Sequence, residues 1–250
     1  MANPVLSDKI FRDSALTSDS GTMTVKGTAT KTLLLTLMVL AGAAYTWKIA
    51  YQAINPASLQ PWMIGGAIGG LVLALIISFK PTTAPYLAPI YAVVEGLFLG
   101  AISAIFNQMF AATAPGLVLN AVLLTMLTAL VMLFIYRTNI IKVNGTFARI
   151  MTIAVGSIAL FYIVSMVLSM FGVNLTMLHN SSPLSIGISL VIVGVAAFSL
   201  LMDFNFIEKA SEAGAPKYME WYGAFGLMVT LIWLYLEILK LLAKFAGSRE

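Results

Sequence analysis

Seven long apolar segments, separated by short polar breaks, make up most of the chain. Each segment is close to the length of about 20 residues that a helix needs to cross the hydrocarbon of a bilayer. The breaks contain Pro, Gly and Asn, which mark turns and helix ends. The pattern therefore predicts an all-α integral membrane protein, a seven-transmembrane-helix bundle with a central C-terminal helix. The predicted spans are 32–53, 61–79, 86–112, 115–136, 148–171, 184–207 and 218–245.

The start of the chain differs from the rest because Ser, Thr and charged residues are frequent there and no sustained apolar run occurs. A secretory signal would place its apolar segment near the start, whereas the first long apolar run here begins at Thr32. We therefore expect residues 1–31 to be a polar, largely disordered cytoplasmic tail. Residues 32–245 would then form the seven-span membrane domain, and residues 246–250 a short C-terminal tail.

Lys and Arg are distributed unevenly between the two sides of the predicted bundle. With the N-terminus in the cytoplasm, ten basic residues fall on the inner side, and Lys48, Lys240, Lys244 and Arg249 fall on the outer side. Cytoplasmic loops carry an excess of Lys and Arg, so this count predicts a cytoplasmic N-terminus and an external C-terminus. The C-terminal basic residues would instead fit a six-span version with a re-entrant last helix, which stays the alternative.

Composition narrows the classes of function. Hydrophobic residues make up 60% of the chain and charged residues 10%, whereas a soluble domain has about 45–50% and about 25%. The absence of Cys excludes disulfides and thiolate metal sites, and the single histidine, His179, cannot form a histidine cluster. No protease motif such as HExxH and no basic cluster for nucleic acid is present. We therefore expect neither an enzyme, nor a resident cofactor, nor a nucleic-acid partner.

Three carboxylates interrupt apolar spans: Glu95 in span three, Asp203 near the inner end of span six, and Glu237 in span seven. Charge within hydrocarbon is costly, so an ionisable residue there is a candidate for a functional site. Burial favours the neutral form of a carboxyl group, so a proton and a cation could compete for these positions. We interpret the three acids as pH-sensing or ion-binding residues.

Small and hydroxylated residues share a helical face with two of these acids. At 3.6 residues per turn, Asp203 lies on one stripe with Ser185, Ser189 and Ser199, and Glu237 lies on another with Thr230. If the stripes face each other, they line a narrow polar path. The same pattern is also how membrane helices pack closely, with Ser and Thr as interhelical hydrogen-bonding groups. The sequence leaves both interpretations open.

Three segments in the last third of the chain carry a family resemblance. They are Met202-Asp203-Phe204-Asn205-Phe206-Ile207-Glu208-Lys209, Trp221-Tyr222-Gly223-Ala224 and Leu234-Tyr235-Leu236-Glu237-Ile238-Leu239. These segments resemble the Bax-inhibitor (TMBIM) family and, within it, the bacterial YccA-like branch. That pattern has an Asp at the end of span six, a short charged hairpin and a Leu-aromatic-Leu-acid sequence in span seven. Asp203 matches the first acid, and Glu237 matches the second in place of the usual Asp.

The resemblance implies a pH-sensitive calcium leak through the membrane, and the YccA-like branch implies a bacterial inner membrane. The acid pair Asp203 and Glu237 would sense pH and contact calcium transiently, and a basic residue would help to hold the closed state. Lys80, at the end of span two, is the positional match for that base, although an Arg is usual there and Lys cannot form the same bidentate fork. The branch also suggests an alternative role, in which a non-enzymatic membrane regulator binds and restrains a membrane-bound protease through the tail 1–31.

The predicted depths of Asp203 and Glu237 along their helices do not favour direct contact between the two acids. Asp203 and Glu237 are separated by 34 residues, and Glu237 lies roughly 24 Å along a helix from Trp221 at the inner boundary. Asp203 lies only about one turn from that boundary on the predicted spans. Contact would require the hairpin helices to project into the cytoplasm, or span seven to sit displaced inward. Glu220 matches Asp203 better in depth, but it lies about 100° off the Glu237 stripe.

A proton-coupled transporter is a further alternative function for the chain. Inverted repeats would favour it, but no internal repeat is visible in the sequence.

Overall fold

The structure, a computed structural model, describes residues 21–52, 56–172 and 180–248. These ranges contain seven α-helices and no strand, and each helix is long and apolar enough to cross a membrane. The all-α, seven-span prediction is therefore confirmed: the chain is an integral membrane protein in contact with the lipid bilayer. The helices are α1 (Val25–Gln52), α2 (Gln60–Phe79), α3 (Ala84–Met109), α4 (Leu117–Arg137), α5 (Gly145–Met170), α6 (Pro183–Glu212) and α7 (Met219–Gly247).

The last helix has the largest buried share of the seven, followed by the span that contains α3, at 50%. The C-terminal helix α7 has 56% of its membrane window buried inside the protein, whereas α5 has 11%. Large apolar side chains cover much of the remaining surface, as the 86% exposure of Phe79 illustrates. An apolar surface of this kind suits lipid rather than water. The membrane that holds the chain and the side that its N-terminus faces stay predictions.

The first helix begins earlier than the apolar pattern predicts. α1 begins at Val25, seven residues before Thr32, because Thr24 caps it: the Thr24 hydroxyl accepts a 2.9 Å hydrogen bond from the Gly27 amide. The part of the predicted tail between residues 21 and 31 is thus ordered, which corrects the tail boundary. Residues 1–20 lie outside the described residues.

The sixth helix continues past its predicted end at residue 207. Gly214 has φ +70°, and the amides of Gly214 and Ala215 donate to the carbonyls of Ser211 and Ala210. This is a Schellman motif, in which glycine takes the left-handed conformation just after a helix. Asp203 therefore lies nine residues, or about two and a half turns, before the end of α6.

The described residues fall into two units, and α6 and α7 contribute to both. The N-terminal unit consists of residues 21–52, 56–109 and 205–229. Here α3 packs against both α1 and α2. The approach of α1 to α3 is close because Gly96 lacks a side chain: a Cβ there would lie 2.9 Å from the Cα of Val39. Gly96 is therefore a packing residue, as its small size in a membrane helix predicts.

The C-terminal unit consists of residues 110–172, 180–204 and 230–248. Asn144 caps α5, since its side-chain oxygen accepts a 2.8 Å hydrogen bond from the Phe147 amide. The ring of Phe147 packs edge-on against Phe198 of α6, with centroids 6.4 Å apart. These contacts fix the start of α5 beside α6. The unit also holds the part of α7 that carries Glu237.

Candidate functional site

Glu237 lies on α7, only 2% exposed, and is bound by two side chains. The Tyr162 hydroxyl on α5 lies 3.0 and 3.1 Å from its two carboxylate oxygens. The Lys240 ammonium, less than one turn along α7, lies 2.6 Å from Oε1. The same ammonium lies 3.3 Å from the Tyr162 hydroxyl and 4.9 Å from the centre of its ring. We call Tyr162, Glu237 and Lys240 the Glu237 cluster.

A second lysine extends this polar region toward α6. The Lys244 ammonium donates a 2.7 Å hydrogen bond to the Ser189 hydroxyl and lies 3.4 Å from the Ser185 carbonyl oxygen. Both serines are almost completely buried. The Ser185 hydroxyl has no hydrogen-bond partner among the described residues. The first two serines of the α6 stripe, Ser185 and Ser189, therefore contact Lys244 of α7.

The other residues of the two predicted stripes are also buried. Asp203 is 0% exposed, and Ser199 and Thr230 are nearly so. The Ser199 hydroxyl donates a 2.9 Å hydrogen bond to the Val195 carbonyl of its own helix. Because the Ser199 hydroxyl is bonded to its own helix, its burial fits close helix packing as well as a path-lining role.

Asp203 and Glu237 lie at different depths in the C-terminal unit. The contact of Lys244 with Ser189 places these two residues at about the same level of α7 and α6, which run antiparallel. Glu237, seven residues before Lys244, is then level with Ala196. Asp203 lies seven residues further along α6, or about 10 Å. That offset is too large for two short acidic side chains to share a proton, so the register argues against a direct acid pair.

Glu95 and Lys80 belong to the N-terminal unit. The Glu95 carboxylate on α3 packs directly against Gly70 of α2. The contact is so close that a Cβ added to Gly70 would overlap one of the carboxylate oxygens. Lys80 caps the C-terminal end of α2 and is exposed. The base that lies against Glu237 is Lys240, on the same helix. The closed-state role of Lys80 stays a prediction.

A further buried acid, Glu220, lies in the first turn of α7 in the N-terminal unit. It is 0% exposed. Its carboxylate forms ion pairs with Lys31 of α1 and, at 2.8 Å, with Lys217. It also accepts hydrogen bonds from the Thr24 amide at 3.0 Å and the Thr24 hydroxyl at 2.8 Å. We call Glu220, Lys31, Lys217 and Thr24 the Glu220 cluster.

Sequence reasoning missed the contacts of Lys240 with Glu237 and of Lys244 with the serines of α6, although a signal was present. Lys240 and Lys244 follow Glu237 at three and seven residues, which is the spacing of one helical face. Extending the stripe forward from the acid, as well as backward, would have found them. Tyr162 carried no such signal, because its partner lies 75 residues away in sequence.

Metal binding has limited support from the arrangement of side chains. No group of three or more His, Asp, Glu or Cys residues suited to a metal ion occurs in residues 21–52, 56–172 and 180–248. His179 lies outside these ranges. Any cation at Glu237 would therefore depend on hydroxyl, carbonyl and water oxygens for most of its ligands.

Comparison with known proteins identifies the family. No curated protein and no solved structure matched the chain. A family model described as Bax inhibitor 1 like matches residues 3–247, which is nearly the whole chain. The bacterial branch of the family stays a prediction. The resemblance first visible around Asp203 and Glu237 thus extends over all seven helices, and the chain belongs to the Bax inhibitor 1 like family.

Proposed function

We propose that the chain is a pH-sensitive cation leak channel, gated by protonation of buried carboxylates, with calcium as the transported ion. Membership in the Bax inhibitor 1 like family supports a membrane regulator or channel-type role. The observation that carries the proposal is the Glu237 cluster, where a carboxylate within a membrane helix is held by one of the protein's own ammonium groups. The proposal assigns no catalytic reaction to the chain.

The Lys240 ammonium takes the position that a cation would occupy at Glu237. It donates hydrogen bonds to the carboxylate and to the Tyr162 hydroxyl, so an entering cation must displace it. The Lys240 side chain is 40% exposed, and its long stem allows the charged end to move away while the rest stays packed. Lys240 therefore acts as a tethered competitor that keeps the site closed.

Protonation of Glu237 would release this competitor. A neutral carboxyl no longer attracts the ammonium, so lower pH weakens the Glu237–Lys240 ion pair and opens the site. The ionisable groups placed against Glu237 are Tyr162 from α5 and Lys240 from α7, with Lys244 one turn further along. We therefore propose that the leak rises as pH falls. Asp203, buried on α6 and about 10 Å away along the helix, would form a second, separate ion contact.

Calcium at these positions would bind weakly and transiently. It prefers six to eight oxygen ligands, and Glu237 and Asp203 can supply only a few. The Ser185 hydroxyl, the Ser189 hydroxyl, backbone carbonyls and water would supply the others. A weak site suits permeation, because an ion must leave as readily as it enters.

Calcium flux in liposomes containing the purified chain tests the proposal. Flux is measured from about pH 5.5 to about pH 8.5 for the unmodified chain, Glu237→Gln and Asp203→Asn. We expect flux to rise as pH falls in the unmodified chain and to depend less on pH in both variants. Glu212→Gln makes the same chemical change at an exposed acid and should keep the normal profile. Flux equal to that of empty liposomes at every pH would contradict the channel proposal.

The alternative is a regulator that binds and restrains a membrane-bound protease. It is supported by the two hydrogen bonds from Thr24 to Glu220, which fix the residue before α1 to the first turn of α7. Deletion of residues 1–20 keeps these contacts and removes most of the polar tail. Loss of partner binding with normal flux would favour the regulator role for the tail, whereas loss of flux alone would favour the channel.

A further inference from the structure

The segment just before α1 pairs with the loop between α6 and α7. The Met23 amide donates a 2.7 Å hydrogen bond to the Ala215 carbonyl, and the Lys217 amide donates a 3.1 Å bond to the Gly21 carbonyl. These two bonds flank an antiparallel bridge between Thr22 and Pro216. In this arrangement the backbone N–H and C=O groups of the two bridged residues point away from each other. Pro216, which has no N–H, therefore loses no hydrogen bond of the pairing.

Side chains hold the same segment. Met23 is only 2% exposed, and a Cβ on Gly223 of α7 would lie 3.4 Å from its methyl carbon. The Ser211 hydroxyl at the end of α6 donates a 3.2 Å hydrogen bond to the Met23 carbonyl. The segment is therefore attached to the ends of both helices as well as to the loop between them.

The Glu220 carboxylate is bonded to the segment before α1, to α1 itself and to the loop between α6 and α7. Thr24 precedes α1, Lys31 lies on α1, Lys217 lies in the loop, and Glu220 begins α7. If the segment leaves, Glu220 loses two hydrogen bonds while its carboxylate stays buried, which is unfavourable. Lys217 keeps 48% of its side chain exposed, so solvent reaches one side of the cluster. Because residues 21–24 precede α1, the contact can open at the cost of the Thr24 bonds while the later turns of α1 stay formed.

We propose that residues 21–24 form a releasable latch that fixes the α6–α7 loop to the start of α1. Opening the latch frees the helices that carry Asp203 and Glu237 to shift, and the closed latch keeps the leak low; this second part rests on the proposed function. Gly21, at φ +79°, turns the chain out of the bridge.

A disulfide between positions 22 and 216 tests the latch. Directly opposed residues at such a bridge lie about 4.5 Å apart between Cα atoms, which is within the range for a disulfide. The chain has no cysteine of its own, so Thr22→Cys with Pro216→Cys creates a unique pair. The rate of disulfide formation is compared with and without Glu220→Gln, and each single-cysteine variant serves as a control for intermolecular products.

We expect the pair to oxidise readily and to do so more slowly with Glu220→Gln, because the latch is then open for more of the time. Hydrogen exchange at the Met23 and Lys217 amides, in the chain without introduced cysteines, should be about tenfold faster in Glu220→Gln, because exchange follows the open fraction. Failure to form the disulfide together with unchanged exchange in Glu220→Gln would overturn the latch.

Flux measurements test the link to function. The oxidised double-cysteine variant should show lower calcium flux than the reduced form, and a reductant should restore it. Equal flux in the two forms would overturn the control of the leak by the latch. If the unmodified chain shows no flux, the proposed function fails, while disulfide formation and hydrogen exchange still decide whether the latch exists.

Discussion

The Tyr162 hydroxyl on α5 lies almost equally far from both carboxylate oxygens of Glu237 on α7, at 3.0 and 3.1 Å. A phenol has one proton to donate, so it shares that proton between the two oxygens or alternates between them. The Lys240 ammonium binds one of the same oxygens at 2.6 Å. The charge of Glu237 is therefore stabilised from two helices.

Replacing Tyr162 with Phe should destabilise the protein by about 1.5–3 kcal/mol, the usual range for a hydrogen bond to a charged group. The ring that packs against Lys240 remains, so the change reports mainly on the lost hydroxyl. Thermal or denaturant unfolding in detergent micelles measures the effect. Tyr86→Phe removes a hydroxyl from a side-chain position that is 78% exposed and should change stability by less than about 0.5 kcal/mol. Equal effects of the two substitutions would contradict the importance of the Tyr162 contact.

Replacing Lys240 with Met should raise calcium flux at high pH several-fold and flatten its pH profile. The substitution removes the tethered ammonium and leaves the Glu237 carboxylate without its 2.6 Å partner, so a cation no longer has a competitor. Calcium should then raise the melting temperature of Lys240→Met more than that of the unmodified chain. Lys240→Arg keeps the charge and should keep the closed behaviour at high pH. A normal pH profile in Lys240→Met would show that the ion pair does not gate flux.

Replacing Lys31 with Met should destabilise the N-terminal unit by about 1–3 kcal/mol, because the buried carboxylate of Glu220 loses one of its partners. Lys26→Met is a matched control on the same helix at an exposed position, and it should be nearly neutral. Denaturant unfolding in micelles gives both values. Similar stability of the two variants would indicate that Lys217 and Thr24 satisfy Glu220 without Lys31.

Replacing Gly96 with Ala should destabilise the packing of α1 on α3 by about 1–3 kcal/mol. The new methyl group would lie 2.9 Å from the Val39 Cα, and backbone cannot move aside as a flexible side chain can. Gly65→Ala adds the same group on α2, where no atom lies within 4 Å. It should be neutral or stabilising by up to about 1 kcal/mol, because Ala favours helix. A destabilised Gly65→Ala with an unaffected Gly96→Ala would contradict the helix contact described here.

The apolar pattern predicted the seven helices because each span must satisfy its backbone hydrogen bonds within itself in lipid. It predicted the ends of α1 and α6 less well. The first turns of α1 are polar because they contact Glu220 and the loop after α6, so the hydropathy of residues 25–31 resembles that of a tail. The end of α6 depends on the left-handed conformation at Gly214, which a hydropathy pattern does not register.

The site was predicted in part. The sequence pointed to Glu237 and to the buried serines Ser185 and Ser189, because polar residues in apolar helices are conspicuous. It read Lys240 and Lys244 as evidence about orientation, since a basic residue near a helix end usually reaches toward the interface. Their actual partners lie on the same helix or on helices distant in sequence, and only the fold brings those together.

The missing N–H of Pro216 affects how one copy of the chain could pair with another. Its backbone nitrogen points away from Thr22, toward the side of the short paired segment where the described part of the chain places no neighbouring strand. A strand from another copy that approached this side would find no donor at residue 216. Proline at such an edge is a common protection against strand-to-strand aggregation, and here it protects a cluster that depends on pairing within a single chain.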